Sequence, residues 1–490
     1  MPTTAAPTPG PIPLCVDLDG TLVRTDMLHE SAMLLLRTAP IAFARTTARL
    51  FQGKAATKHW IADRIRFEAA HLPYRRDVLA LIDEARAEGR PIVLATAAAP
   101  QIASAIADHL GVFDEVLSSD AATNLSAEAK AARLVERFGE GGFDYVGNDY
   151  ADLPVWRHAR RVIVASNDGR LHRRAAAGRD AVDRLATDGS AWAAYALALR
   201  PHQWLKNLLV FVPLLAAQQI TNMDLLTRAT LAFVAICAAA SFGYGVNDLL
   251  DLEADRRHAR KRHRPFASGA LSIAAGIRLA VLLLVAAIAL CLVLPPVFAA
   301  VTGLYLAITL AYSIRLKQQV VLDVILLAGL YTIRIIAGAA ATGIKPSFWL
   351  LAFSMFIFLS LAVVKRCTEL RAAGTGEGGG DGDMLAGRGY TPADLPVLIG
   401  VGTGSGLVSV LVLALYVESQ STERLYPASV WLWLMPPTML YWVTRLWMKT
   451  HRGEVHDDPV VFAARDPQSL AIAALFALIF TAAAKQLTFW

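Results

Sequence analysis

The chain has 490 residues, 55% of them apolar and 18% charged. That balance exceeds what a soluble core needs, and it excludes intrinsic disorder, a collagen-like chain and a small disulfide-stapled secreted domain. Residues 1–195 hold 23 Lys or Arg against 24 Asp or Glu, and residues 196–490 hold 24 against 17. The net charge of +6 therefore comes from the apolar half, which argues for membrane orientation and anionic substrates rather than nucleic acid. Cys15, Cys237, Cys291 and Cys367 show no CxxC or CxxH spacing, so reduced structural thiols are expected and no zinc site. The opening MPTTAAPTPGPIP has neither a charged n-region nor a long apolar core. It is not expected to be a signal peptide, and the first domain is expected in the cytosol.

Residues 12–165 alternate short apolar runs with helical stretches. Runs 12–16, 91–95, 143–146 and 162–165 are predicted strands, and the order implies a parallel sheet with helices on both faces. Residues 24–88 contain no clear strand and are expected as a helical insertion, and 166–200 as a helical linker. Beyond Arg200 nine spans are predicted, at 207–218, 225–244, 273–294, 297–312, 320–342, 348–364, 395–416, 428–447 and 470–484. Most approach the ~20 residues that cross a bilayer core. The loops after spans 2, 4, 6 and 8 hold Arg256, Arg257, Arg260, Lys261, Arg262, Arg264, Arg315, Lys317, Lys365, Arg366, Arg371, Arg388, Lys449, Arg452 and Arg465. The opposite loops hold little beyond Lys345 and Arg424. The positive-inside rule then places the N-terminus and these basic loops in the cytosol and the C-terminus outside. Gly374–Asp383 is expected as a flexible linker in the third of these loops.

The first predicted strand ends in Asp17-Leu18-Asp19-Gly20-Thr21. Two carboxylates two residues apart project into one mouth, where one can attack phosphorus while the other moves a proton to the leaving oxygen. Thr96, ending the second predicted strand, can hold a phosphoryl oxygen, and Lys130 can neutralise its charge. The segment Gly147-Asn148-Asp149-Tyr150-Ala151-Asp152 offers carboxylates for Mg²⁺. These four pieces resemble the haloacid dehalogenase (HAD) superfamily over about 160 residues. The resemblance implies an α/β Rossmann-like phosphatase domain at 1–165 with a helical cap at about 24–88. It makes Asp17 the nucleophile, Asp19 the acid/base, and Thr96 and Lys130 phosphate ligands. Mg²⁺ would sit among Asp17, Asp19, Asp149 and Asp152. Asn148 departs from the usual acidic residue, which would weaken metal affinity. The competing reading is a domain kept as scaffold.

Span 2 runs into Asn247-Asp248-x-x-Asp251-x-x-x-Asp255. On a helix the three carboxylates fall within about 60° of one another, with Asn247 at the edge. Their repulsion would be relieved by divalent cations carrying a diphosphate. The following Lys261-Arg262-His263-Arg264 reads either as a topology signal or as a phosphate clamp. Tyr312, Lys317 and Asp323 follow span 4, and Arg334 lies eleven residues after Asp323, on the same face about 16 Å away. A mid-span arginine faces a bundle interior, where it meets either a structural partner or a ligand.

NDxxDxxxD resembles the UbiA superfamily of intramembrane prenyltransferases over residues 197–490. The resemblance implies an all-α bundle of nine transmembrane helices. A single second-motif carboxylate, Asp323, departs from most members. With Arg200-Pro-His-Gln203-Trp204-Leu-Lys206-Asn207, Lys365-Arg366-Cys-Thr-Glu369 and Arg388-Gly-Tyr390, it looks like the decaprenyl-phosphate phosphoribosyltransferase branch. There the donor is phosphoribosyl pyrophosphate (PRPP) and a polyprenyl phosphate is the nucleophile. By that resemblance Asp248, Asp251 and Asp255 hold Mg²⁺ on the pyrophosphate, with Asn247 nearby. Lys206, Tyr312, Lys317 and Asp323 would line the ribose-phosphate site, and Arg262, Arg264, Arg334, Lys365 and Arg366 would meet donor or acceptor phosphates. The implied enzyme is bifunctional, multi-pass in the plasma (inner) membrane, and makes polyprenylphosphoryl-ribose toward a lipid-linked arabinose donor for the cell wall. Homo-oligomerisation is left open. The rival reading is an aromatic-acceptor prenyltransferase beside an independent or non-catalytic HAD domain.

Overall fold

The structure is a computed structural model that describes residues 11–50, 53–120, 123–179, 181–185, 190–374, 388–455 and 458–485. Apart from Gly374, the expected linker 374–383 lies outside the described residues. The chain divides into two compact units, Met1–Leu197 with Asp248–Ile277, and Ala198–Asn247 with Arg278–Trp490.

The first unit is built on six short parallel strands. They are β1 (Leu14–Val16), β2 (Ile92–Ala95), β3 (Glu115–Leu117), β4 (Asp144–Gly147), β5 (Val162–Val164) and β6 (Asp183–Arg184). Their order is β3-β2-β1-β4-β5-β6. Side chains alternate between two cores, as the strand period demands. Leu14, Val16, Ile92 and Leu94 enter one core. Cys15, Val93, Tyr145 and Val164 enter the other, against Leu134, Trp156 and Leu171. The four predicted strands are present. β3 was not predicted, and β6 corrects the expectation of a purely helical linker. Its two residues carry no apolar run of their own and extend the sheet only by pairing with β5.

Between β1 and β2 lie four helices, α1 (Met27–Thr38), α2 (Pro40–Leu50), α3 (Lys54–Ala62) and α4 (Arg76–Ala87). An isolated bridge between Val23 and Tyr74 closes the base of the insertion. The helical stretch expected over about 24–88 is thereby pinched at Val23 and Tyr74, before α4. Val78, Ile82 and Ala85 of α4 belong to the sheet core, because their spacing buries them against β1 and β2. The unit continues through α5 (Pro100–Leu110), α6 (Glu128–Phe138), α7 (Leu153–His158) and α8 (Gly169–Ala175).

The second unit is helical. After α9 (Ala191–Leu199), a 3₁₀ stretch (Pro201–Phe211) leads into the short α10 (Val212–Ala216). Then come α11 (Met223–Leu250), α12 (Leu252–Arg257, in the first unit), α13 (Ile273–Val293), α14 (Pro296–Ile314), α15 (Leu322–Thr342), α16 (Phe348–Gly374), α17 (Leu395–Val417), α18 (Gln420–Leu425), α19 (Met435–His451), α20 (Pro459–Arg465) and α21 (Pro467–Ala484). Among the described residues seven helices are long and apolar enough to cross a membrane, so the expected count of nine is not reached. The two shortfalls are 207–218 and 428–447. Each is a 3₁₀ stretch followed by a short or 17-residue helix. Pro213, Pro436 and Pro437 remove the amide donors that one continuous helix would need.

α13 leaves Val281, Leu282, Val285, Ile288, Leu292 and Val293 exposed, the surface of a helix that faces lipid rather than water. α15 is the most buried span, at 67% of its apolar window. A Cβ on its Gly338 would lie 1.9 Å from the Val210 carbonyl oxygen, so glycine permits the close approach of the 3₁₀ stretch. Gly338→Ala should cost about 1–3 kcal/mol by overpacking. Gly329→Ala, which would meet nothing within 4 Å, should be neutral or mildly stabilising. Thermal unfolding in detergent checks the pair.

Candidate functional site

In the first unit the chemistry gathers at the carboxyl ends of β1, β2 and β4, where the sheet order reverses and α/β sheets open a crevice. Asp17 is buried, and its carboxylate accepts from Lys130 Nζ at 2.6 Å and from Thr21 Oγ1 at 3.1 Å. Thr21 Oγ1 also lies 3.1 Å from Asn148 Oδ1, so one hydroxyl stands between two oxygen acceptors. Asp19 accepts from the Met27 amide at 2.7 Å, at the start of α1. Burial, then the neighbouring carboxylates of Asp26 and Asp17, push its pKa up to about 7. That suits a group that must hold a proton near neutrality. Lys130 is itself raised, because its carboxylate neighbours outweigh its burial. Thr96 is fully buried, and its hydroxyl accepts from the Ala98 amide at 3.0 Å.

Of the other expected metal ligands, Asp149 is exposed and caps the turn by accepting from the Tyr150 amide. Asp152 points inward. It accepts from Tyr145 Oη at 2.8 Å and from the amides of Asn148 and Asp149 at 2.9 and 3.1 Å. Burial and the Asp17 charge raise its pKa to about 6. Gly147 is required here, since a Cβ would sit 2.5 Å from the Asp152 carboxylate. Asp152 thus braces the loop that presents Asn148. Thr21 and Tyr145 were missed as site residues, although Thr21 lies inside the DxDGT motif.

The acidic segment departs from a single stripe on an unbroken helix. α11 ends at Leu250, and Asp251 takes a non-helical conformation before α12 begins. Asp248 and Asp255 still meet, because Arg264 Nη1 donates to both, at 3.1 and 2.6 Å. Asp251 is addressed instead by Arg37 of α1, at 3.8 Å. Burial raises the Asp255 pKa against the pull of Arg264. Arg262 is exposed, near His263.

In the second unit Lys317 Nζ reaches Asn247 Oδ1 at 3.4 Å. Tyr312 accepts from Arg388 at 2.7 Å. Asp323 is fully buried, paired with Arg366 at 2.7 Å and accepting from Tyr390 Oη at 2.5 Å. Arg366 is equally buried and also pairs with Glu369, so both expected substrate ligands spend their charge on each other. Arg334 donates to Asn207 Oδ1 at 2.8 Å and Tyr305 Oη at 3.2 Å, which identifies its structural partners.

Lys206 and Lys365 converge on a residue that the sequence reading did not single out, Asp458, at 2.5 and 3.5 Å. Its only sequence signal was a position in a basic loop. The two ammonium groups hold the Asp458 carboxyl down at about 2. A depressed folded-state pKa contributes stability above the unfolded value of 3.8, and this stability is lost as pH falls through about 2. Asp458→Asn should therefore lower the melting temperature at pH 7, chiefly by leaving the buried Lys206 ammonium without its carboxylate, the half-buried Lys365 contributing less. The gap to wild type should narrow below about pH 4, where unfolded wild type begins to take up the proton. Thermal unfolding across that range is the check.

Among the described residues no group of three or more His, Cys, Asp or Glu is placed to hold a metal ion. The donors that do converge are hard oxygens, Asp17 with Asn148 about Thr21, and Asp248 with Asp255 about the cationic Arg264. That chemistry fits Mg²⁺ and not Zn²⁺.

The model of the UbiA prenyltransferase family matches residues 191–464, and that of haloacid dehalogenase-like hydrolases matches residues 14–157. Protein y4nM of Sinorhizobium fredii is 38% identical over 475 residues, covering 96% of this chain and 91% of that protein. The decaprenyl-phosphate phosphoribosyltransferase of Mycolicibacterium smegmatis is 41% identical over 180 residues, 36% of this chain and 57% of that enzyme. A solved UbiA homologue from Archaeoglobus fulgidus, bound to DMAPP and Mg²⁺, covers 59% of this chain and is itself covered to 96%, at 17% identity and a TM-score of 0.45. The chain is an integral membrane protein that belongs to the UbiA prenyltransferase family and carries a HAD-like domain on its N-terminal side.

Proposed function

We propose that the chain transfers the 5-phosphoribosyl group of PRPP to a polyprenyl phosphate, releasing pyrophosphate. Its HAD domain then removes the 5-phosphate to leave polyprenylphosphoryl-ribose. The observation that carries this reading is the coexistence in one chain of a buried Asp17–Lys130 pair inside a DxDGT motif and an NDxxDxxxD segment whose outer carboxylates share one cation. The similarity to decaprenyl-phosphate phosphoribosyltransferases supports the choice of donor and acceptor. Asp323, spent on Arg366, offers no second acidic cluster of the kind an aromatic-acceptor prenyltransferase would use.

In the transferase, Asp248, Asp251 and Asp255 would hold Mg²⁺, which would offset the charge of the departing pyrophosphate. Arg264 adds positive charge for phosphate oxygens beside these carboxylates, and within the second unit Lys206 and Lys365 offer phosphate-binding charge around Asp458. The acceptor phosphate is anionic near neutrality and needs no general base. In the HAD domain, Lys130 neutralises the phosphoryl group while Asp17 attacks phosphorus and Asp19 protonates the leaving ribose oxygen; water, giving a proton to Asp19, then attacks the phosphorus of the aspartyl-phosphate, releases inorganic phosphate and restores Asp17. Asp17 and Asn148 would hold Mg²⁺ there, on fewer charges than a paired-aspartate site. Joining the two activities raises the local concentration of the phosphatase around the transferase product. The basic loops and both active sites are proposed to lie on the cytosolic side of the plasma membrane.

Purified protein incubated with labelled PRPP and a polyprenyl phosphate tests the reading by product mass. Asp248→Asn should abolish transfer while leaving hydrolysis of a soluble phosphate ester intact. Asp17→Asn should still release pyrophosphate, but its lipid product should be heavier than that of wild type by one HPO₃. Identical lipid products from wild type and Asp17→Asn would refute the second step.

A further inference from the structure

The acidic segment 248–277 belongs to the same compact unit as the HAD domain, and the contacts that hold it there converge on one guanidinium. Arg256, adjacent to Asp255, donates through Nη1 and Nη2 to both oxygens of Glu30, at 2.6 and 3.0 Å. Glu30 lies on cap helix α1, and its carboxylate also accepts from Thr25 Oγ1 at 3.1 Å. The Arg256 and Glu30 side chains are only 6% and 11% exposed. Arg256 Nε donates to the Ala267 carbonyl at 2.9 Å. Through that third bond the same side chain fixes the loop that carries Arg264.

Three further contacts point the same way. Gly269, at φ +71°, packs so tightly on Arg24 that a Cβ would lie 2.7 Å from the Arg24 carbonyl oxygen. Arg257 pairs with Glu68 at 3.0 Å. Arg37, in the last turn of α1, donates to the Leu250 carbonyl at 3.3 Å and lies 3.8 Å from Asp251. One helix about 18 Å long thus begins at the amide that binds Asp19 and ends beside Asp251.

We propose that Glu30 and Arg256 are positioning residues for ribosyl transfer, by which the phosphatase cap holds Asp251, Asp255 and Arg264 in the arrangement that receives Mg²⁺ and diphosphate. This rests on the reading that the acidic segment serves the transferase. Neither residue touches a reacting group. Both act as the outer partners that orient metal ligands, whose removal typically costs 10- to 100-fold in metal affinity or activity. A bidentate carboxylate–guanidinium pair suits this role because it fixes direction as well as distance.

The test uses the full-length protein and the variants Glu30→Gln, Arg256→Ala, their combination and Asp248→Asn. Glu30→Gln keeps the side-chain shape and guards against loss of folding in Arg256→Ala. Each single variant should raise the Mg²⁺ concentration for half-maximal ribosyl transfer by about 10- to 100-fold. Hydrolysis of a soluble phosphate ester should stay near wild type. The double variant should be no worse than the poorer single one, because both remove one interaction. Amide hydrogen exchange over residues 248–268 should quicken in Glu30→Gln without substrate or metal. Wild-type Mg²⁺ dependence in Glu30→Gln, with transfer abolished in Asp248→Asn, would overturn the positioning role alone. Fully additive losses would overturn it too. Full transfer by Asp248→Asn would remove the assignment of the acidic segment, and the positioning role with it.

Discussion

A carboxylate withdrawn from water needs a cation or hydrogen-bond donors close by, because the cost of burying its charge otherwise exceeds what packing returns. In this chain that constraint organises both units. Asp17 has Lys130, Asp248 and Asp255 share Arg264, Asp323 has Arg366, and Asp458 has Lys206 and Lys365. Asp144 shows the same rule at the opposite, amino-terminal end of β4. Fully buried between Arg90 and Arg160, it is held below the usual carboxylate range. It serves no proposed chemistry, so a buried ion pair alone does not mark an active site.

What separates the sites from such scaffolding is the state of the partner. Arg264 and Lys365 are about a quarter to a third exposed, so an anion arriving from solvent can compete for them. Arg366 is sealed with Asp323, and Arg334 is occupied by Asn207 and Tyr305. Several cations resembled phosphate ligands by position. Exposure sets Arg264 and Lys365 apart from Arg366 and Arg334, whereas Lys130 and Lys206 are as buried as the latter pair.

One helix of the insertion touches both acidic clusters. α1 starts at the amide that donates to Asp19 and carries Glu30 in its first turn and Arg37 in its last. Its Asp26 N-cap accepts from the amides of Leu28 and His29, which fixes the helix start and hence the direction of Glu30 and Arg37.

Sequence by itself determined the class of each half and the identity of most chemical groups. Periodicity exposed the parallel strands, and apolar length exposed most of the spans. Short motifs pointed to Asp17, Asp19 and the Asp248–Asp255 segment, because their carboxylates sit at local spacings that can be counted. Tertiary structure alone decided who pairs with whom. β6 has no apolar run and exists only through β5. The acidic helix breaks at Asp251, which no uniform 100° rotation anticipates. Asp458 meets Lys206 across 252 positions of sequence, and Glu30 meets Arg256 across 226. Such pairs are invisible to local pattern because burial, not spacing, selects them. A charge reveals its role only when the fold shows how much water it has lost and which opposite charge has replaced it.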